Sequence, residues 1–111
     1  MVQEQMRFLL NVAKLIEFAF DKNYTFTGGE LFRTQAQQKI YFDSGLSKTM
    51  DSMHLKRLAL DLNFFKDSEL TDDLEYLKPL GEYWQSLSPK NRSGMFFKTI
   101  YDPGHFETYI P

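Results

Sequence analysis

From Leu58 to Phe65 the chain alternates so regularly that an extended strand is the one backbone geometry that accommodates it. Leu58, Leu60, Leu62 and Phe64 fall on one parity; Ala59, Asp61, Asn63 and Phe65 fall on the other. Successive side chains of a strand point to opposite faces, so the aliphatic parity must lie against a core. Asp61 then stands on a rigid strand and faces away from the main aliphatic layer. The fold must therefore contain a sheet with one apolar face and one face that carries a carboxylate.

The remaining segments supply the layers for that sheet. Between about Gln3 and Phe20, Met6, Leu9, Leu10, Ala13, Ile16 and Phe20 recur at spacings of three and four, one apolar stripe of the kind that faces a core. Tyr24 to Phe32 alternates as a strand broken by Gly28-Gly29. Thr34 is placed to cap a helix that runs through Phe42 and stops near Gly45, and Ser47 to Met53 reads as a loop. Lys66 to Leu70 is a turn. Thr71 caps a helix from about Asp72 to Leu87, with Pro79 and Gly81 as candidate interruptions. Pro89 to Gly94 reads as a loop, and Met95–Tyr101 and His105–Tyr109 as two short strands around the turn Asp102-Pro103-Gly104. By parity His105, Glu107 and Tyr109 share a face, and Phe106 points into the core. These elements predict an α+β fold with two or three helices packed on one face of a small antiparallel sheet. No repeat or linker divides the 111 residues, so 1–111 is expected to form one domain.

Charge and cysteine content narrow the chemistry. Net charge is −2 with no basic run, which argues against a phosphate backbone as partner: no nucleic acid. Cysteine is absent, so disulfides and Cys-rich zinc sites are excluded, and any metal must be held by His and carboxylate. Phe8 to Phe20 is rather apolar, but Asn11, Lys14 and Glu17 interrupt it. It suits neither a secretory signal nor a membrane helix. The expectation is a protein made in the cytoplasm, without membrane insertion, and monomeric.

The chain holds two histidines. His54 precedes Asp61 by seven residues, and His105 follows Asp102 by three. Two imidazoles and one carboxylate are a standard catalytic zinc set that leaves one coordination position open. A nearby free carboxylate can take a proton from water and pass it to a leaving amine. The spacing alone leaves alternatives open: Asp61-Leu62-Asn63 also suits the start of a turn, Asp102-Pro103-Gly104 is an ordinary turn sequence, and most isolated histidines bind no metal.

Three ordered motifs add to this. Ser52-x-His54-x-x-x-x-Ala59-x-Asp61 resembles the first metal motif of the zinc D-alanyl-D-alanine carboxypeptidases and L-alanyl-D-glutamate endopeptidases, a family that includes phage endolysin peptidases and vancomycin-resistance dipeptidases. Asp102-x-x-His105-Phe106-Glu107 is similar to its second motif, and Phe32-Arg33-Thr34 followed by Gln37 sits where the family places an Arg-Thr segment. The compact spacing is most similar to that of the small phage and prophage endolysin peptidases. The resemblance spans about Glu30 to Glu107 and implies the fold shared by this family and the hedgehog signalling domain, with the metal cleft on the sheet face opposite the helices. It implies zinc ligands His54, Asp61 and His105, with Asp102 as general base and acid. Arg33 would hold the scissile carbonyl or a substrate carboxylate, with Gln37 and Ser52 as polar supports or substrate contacts. Glu107 would orient the His105 ring. Read without the resemblance, Arg33 is a surface salt bridge with Glu30 or Asp43, and Glu107 is equally a solvated strand residue. The chain departs from many family members at Arg57, where they carry Gly.

The activity implied is zinc-dependent hydrolysis of peptidoglycan stem peptides. L-Ala–D-Glu endopeptidase cleavage is favoured over D-Ala-D-Ala carboxypeptidase action, after release to the cell wall, with a holin as one route. A different class of reading is a metal-stabilised wall-binding or interaction domain without catalysis. Met53, Tyr83 and Trp84 are expected to be packing residues, and Tyr101 and Tyr109 are candidates for the cleft wall.

Overall fold

The computed structural model describes residues 1–47 and 49–111. Its elements run α1 (Val2–Asp21), β1 (Thr25–Gly28), α2 (Gln35–Asp43), a 3-10 turn (Met53–Lys56), β2 (Ala59–Lys66), β3 (Glu69–Leu70), α3 (Leu74–Ser86), β4 (Asn91–Ser93), a second 3-10 turn (Gly94–Phe96) and β5 (His105–Thr108). The strands form a wholly antiparallel sheet in the order β1-β2-β5-β4, with β3 also paired to β2. This is the α+β architecture the sequence predicts.

The β2 alternation holds. Leu58, Leu60, Leu62 and Phe64 are buried, and Asn63 between them is exposed. Leu60 pairs across the sheet with Phe106, and the rings of Phe106 and Phe8 both meet Trp84 edge to face. Such pairs add about 0.5–1.5 kcal/mol to the area they bury. Trp84 also donates its indole N–H to the carbonyls of Glu107 (3.0 Å) and Arg92 (3.1 Å), which fastens α3 to the two strands beside the site. Leu77 and Leu80 bring the rest of α3 into this core, where Met53 also packs. Tyr83 is half-buried and stacks on Phe18.

Helix α1 is present, but its predicted stripe faces the wrong way. Phe8, Val12, Leu15 and Ala19 are buried, whereas Met6, Leu9, Leu10, Ala13, Ile16 and Phe20 are exposed. Both sets recur at helical spacing, so periodicity alone could not choose between them; the core takes the set that fits beside Trp84 and Leu77.

Other boundaries differ for local reasons. β1 ends at Gly28, and α3 starts at Leu74, with Thr71 accepting the Asp73 N–H before the helix begins. Pro79 and Gly81 do not interrupt α3, and a Cβ at Gly81 would fall 2.5 Å from the Met95 sulfur, so that side chain packs directly on the helix backbone. Residues 95–101 form no strand, and the third partner of the sheet is β4, inside the segment read as a loop. Asp67 and Ser68 both take positive φ (54° and 68°), the turn geometry that matches the twist of a tight hairpin between β2 and β3.

Candidate metal centre

Strand register builds the site. Asp61 pairs directly with His105, and Ala59 with Glu107, on the face opposite Leu60 and Phe106. Asp61 is pinned on its other edge by its N–H to the Glu30 carbonyl (2.8 Å) and its carbonyl to the Gly29 N–H (2.8 Å). The third residue, His54, comes from the 3-10 turn, and its own backbone N–H is capped by the Ser52 hydroxyl (3.2 Å). Arg57 closes this turn in the left-handed region (φ 58°), and its guanidinium lies 4.2 Å from the centre of the Phe32 ring. The departure at Arg57 thus falls at a position whose backbone suits glycine.

The ligand atoms of His54, Asp61 and His105 all lie within 4.8 Å of one another. Each imidazole is committed on its outer nitrogen. His54 Nδ1 donates to the Leu31 carbonyl (3.0 Å), and His105 Nε2 donates to Glu107 Oε1 (2.7 Å). The inner nitrogens, His54 Nε2 and His105 Nδ1, each lie 3.3 Å from Asp61 Oδ1. His54 Nε2 is fully buried and makes no hydrogen bond despite that proximity. An unsatisfied buried nitrogen costs about 1–3 kcal/mol. A divalent cation would satisfy it, and two inward nitrogens with one carboxylate are the donor set zinc takes with a position left open.

The charges agree with this arrangement. Burial pushes the Asp61 carboxyl up, but the adjoining His105 and His54 imidazoles outweigh it and hold Asp61 well below the usual carboxylate range. Burial pulls His105 down, yet Asp61 and Glu107 raise it to about 9 in the absence of metal. Glu107 is buried, not solvated. Burial raises it, and His105 and Arg92 bring it below its ordinary value. Arg92 reaches Glu107 from the neighbouring strand, with Nε 2.8 Å from Oε2.

The three residues sit in a cleft of about 950 Å³ that also takes in Arg33, Ser52, Tyr41, Phe97, Asp102 and Tyr109. Asp102 stays open to solvent at the mouth, and partial enclosure together with the Asp61 charge raises its pKa against the pull of His105, His54 and Arg33. Its backbone is locked: the N–H donates to the Gly94 carbonyl (3.0 Å), and the carbonyl accepts from His105 (3.1 Å). Gly94 is required, because a Cβ there would lie 2.1 Å from the Asp102 carbonyl oxygen.

Arg33 is held from several sides. Its Nε pairs with Glu30, Nη1 donates to Gln38 (2.7 Å) and to Ser52 (3.4 Å), and the guanidinium lies 4.6 Å from the centre of the Tyr41 ring. The Glu30 salt bridge and the place in the cleft are thus one arrangement, and Asp43 pairs with Lys39. Gln37, expected among these residues, does not line the cleft; its backbone N–H bonds the capping Thr34 hydroxyl. The buried amide beside Arg33 is Gln38, which also donates to Ser47 and to the Thr49 carbonyl. Tyr109 lines the cleft, whereas Tyr101 donates its hydroxyl to the Asp72 carbonyl. Gln38, Tyr41 and Arg92 were not singled out from the sequence. For Arg92 the only signal is its cross-strand pairing with Glu107, which the strand order supplies and the sequence does not.

Among the described residues no helix is long and apolar enough to cross a membrane. No family model matches the chain, and no curated protein matches it. Among solved structures it is similar to the crystal structure of the Serratia marcescens L-Ala D-Glu endopeptidase ChiX, with a TM-score of 0.69 and 22% identity over 87% of this chain and 77% of that one. At that identity the likeness establishes a shared fold.

Proposed function

We propose that the chain is a zinc-dependent peptidase acting on the peptide stems of peptidoglycan, with the L-Ala–D-Glu bond as its preferred target. The observation that carries this reading is the convergence of His54 Nε2, His105 Nδ1 and the Asp61 carboxylate in an open cleft. It occurs on a fold shared with the Serratia marcescens L-Ala D-Glu endopeptidase ChiX.

His54, Asp61 and His105 would hold the ion. When bound, zinc supplies Lewis-acid polarisation of a carbonyl and makes water acidic enough to ionise near neutral pH. The chain's own residues do the rest. Asp102, with its raised pKa, accepts a proton from the attacking water and returns it to the leaving amine. Arg33, its plane fixed by Glu30 and Gln38, offers Nη2 to the carbonyl oxygen as negative charge develops there, or to a substrate carboxylate. Glu107 keeps the His105 ring in the orientation that turns Nδ1 inward. We place the site of action at the cell wall, after release from the cytoplasm.

The test is digestion of purified peptidoglycan by the zinc-loaded chain, with fragments read by mass spectrometry. Fragments ending at L-Ala, with new D-Glu amino termini, are expected. Asp102→Ala should retain zinc and lose turnover by about 10² or more. Zinc binding with no fragments from the unaltered protein would overturn the peptidase reading in favour of a wall-binding module.

A further inference from the structure

The outer face of α1 has no use in the site or the core. Val2, Met6, Leu9, Ala13, Ile16 and Phe20 follow one another at spacings of four and three along its whole length, the a/d pattern of a helix that packs against another helix. All are exposed: Val2 75%, Leu9 54% and Phe20 70%, with Leu10 beside them at 57%. We infer that this stripe is the interface of an antiparallel homodimer, α1 of one copy lying along α1 of a second copy, in place of the monomer expected from the sequence.

Area and shape both favour that occupant. The stripe offers roughly 600 Å² of apolar surface per copy, the upper end of what a monomer's largest patch exposes. With its flanking side chains it approaches the ~800 Å² per partner of a standard interface. Antiparallel alignment sets Phe20 against Val2, Met6 against Ile16 and Leu9 against Ala13, large against small along the seam. A parallel pair would instead set Ala13 against Ala13 and Phe20 against Phe20. The charged residues of the helix are of both signs, Glu4, Glu17 and Asp21 beside Arg7 and Lys14. A membrane surface fits less well, because interfacial helices carry a predominantly basic polar face.

Because these side chains are already exposed in the single copy, substituting them leaves the core intact and isolates association. Sedimentation equilibrium of the full chain is expected to show a monomer–dimer equilibrium in the micromolar range. Leu9→Glu combined with Ile16→Glu should sediment as monomer while keeping the parent circular dichroism and zinc content. The chain has no cysteine, so single thiols report the geometry. Leu10→Cys, nearly level with the two-fold axis, should cross-link under mild oxidation, and Phe20→Cys should not. A parent chain that stays monomeric throughout the micromolar range overturns the inference, as does a glutamate variant that still dimerises or a reversed cross-linking pattern. Flotation of monomer with phosphatidylglycerol vesicles would assign the stripe to lipid and overturn it as well. None of these outcomes depends on whether peptidoglycan is cleaved.

Discussion

Replacing Gly94 by alanine tests whether the site depends on the close approach of two backbone segments. A Cβ at Gly94 falls 2.1 Å from the Asp102 carbonyl oxygen and 3.0 Å from the His105 Cβ. Ordinary contact begins near 3.4 Å, so the oxygen must retreat by about 1.3 Å. It cannot do so alone, because the same turn is tied to Gly94 through the Asp102 N–H and to His105 through the Asp102 carbonyl. The displacement therefore moves the candidate base and one candidate ligand together. Overpacking of this kind costs about 1–3 kcal/mol of stability, and a misplacement near 1 Å costs about 10² in turnover. Gly28→Ala is the matched control, since nothing lies within 4 Å of a Cβ there. The assay is release of muropeptides by the zinc-loaded variants, with thermal melting measured in parallel. Gly94→Ala should lose about 10² in turnover while remaining folded, and Gly28→Ala should match the parent in both. Parent-like turnover in Gly94→Ala would refute the argument that the Asp102–His105 turn must sit where Gly94 allows it.

Three further outcomes follow from the same geometry. Glu107→Ala removes the buried acceptor of the His105 Nε2 proton, so zinc affinity should fall about 10–100-fold, read by competition with a chromophoric chelator; unchanged affinity would remove Glu107 from any orienting role. His105 is raised from 6.5 to about 9 without metal, so the metal-free chain gains stability that is complete below about pH 6.5 and is lost as pH rises through about 9. Zinc needs that nitrogen deprotonated, so the rise in Tm on adding zinc should grow across the same window, and a rise that is flat with pH contradicts it. Arg57 holds φ 58° at a left-handed cost of about 1–2 kcal/mol and recovers about 0.5–1 through Phe32. Arg57→Gly should therefore leave denaturant stability within about 1 kcal/mol of the parent, while Arg57→Ile, β-branched in the same region, should lower it clearly.

What could be read from the sequence was whatever depends on neighbours along the chain. The β2 alternation placed Leu60 inward and Asp61 outward because the period of a strand is local. The same rule set His105 and Glu107 on one face and Phe106 on the other. The Thr34 cap was legible for the same reason, and its hydroxyl accepts the Gln37 N–H. What failed depends on partners far along the chain. Helix α1 carries apolar residues on two faces, and only the position of Trp84 and Leu77 decides that Phe8 and Leu15 go inward. Gln37 lies outside the cleft and Gln38 beside Arg33, because one residue along a helix rotates a side chain by about 100° and only the packed helix shows which side meets Arg33. Arg92 went unnoticed because β4 has three residues and sits among turn formers, so its pairing with Glu107 exists only once β5 lies beside it.

The way core and site share β2 and β5 bears on how such a cleft stays assembled. Leu60 opposite Phe106 and Asp61 opposite His105 are successive rungs of one ladder. Sliding β5 by a single residue would turn Phe106 into the cleft and drive His105 into the aliphatic layer. Its imidazole would then lose Asp61, and Trp84 would lose the ring it packs against. Every apolar contact that favours the native register thus also favours convergence of the two strand-borne donors. Only His54 must be brought in separately, and it arrives on a turn whose Met53 is buried in the same core. The polar cluster therefore does not have to stabilise its own geometry: hydrophobic packing on the far face of the sheet fixes it, and the cleft face is free to leave a buried nitrogen unsatisfied for an incoming ligand.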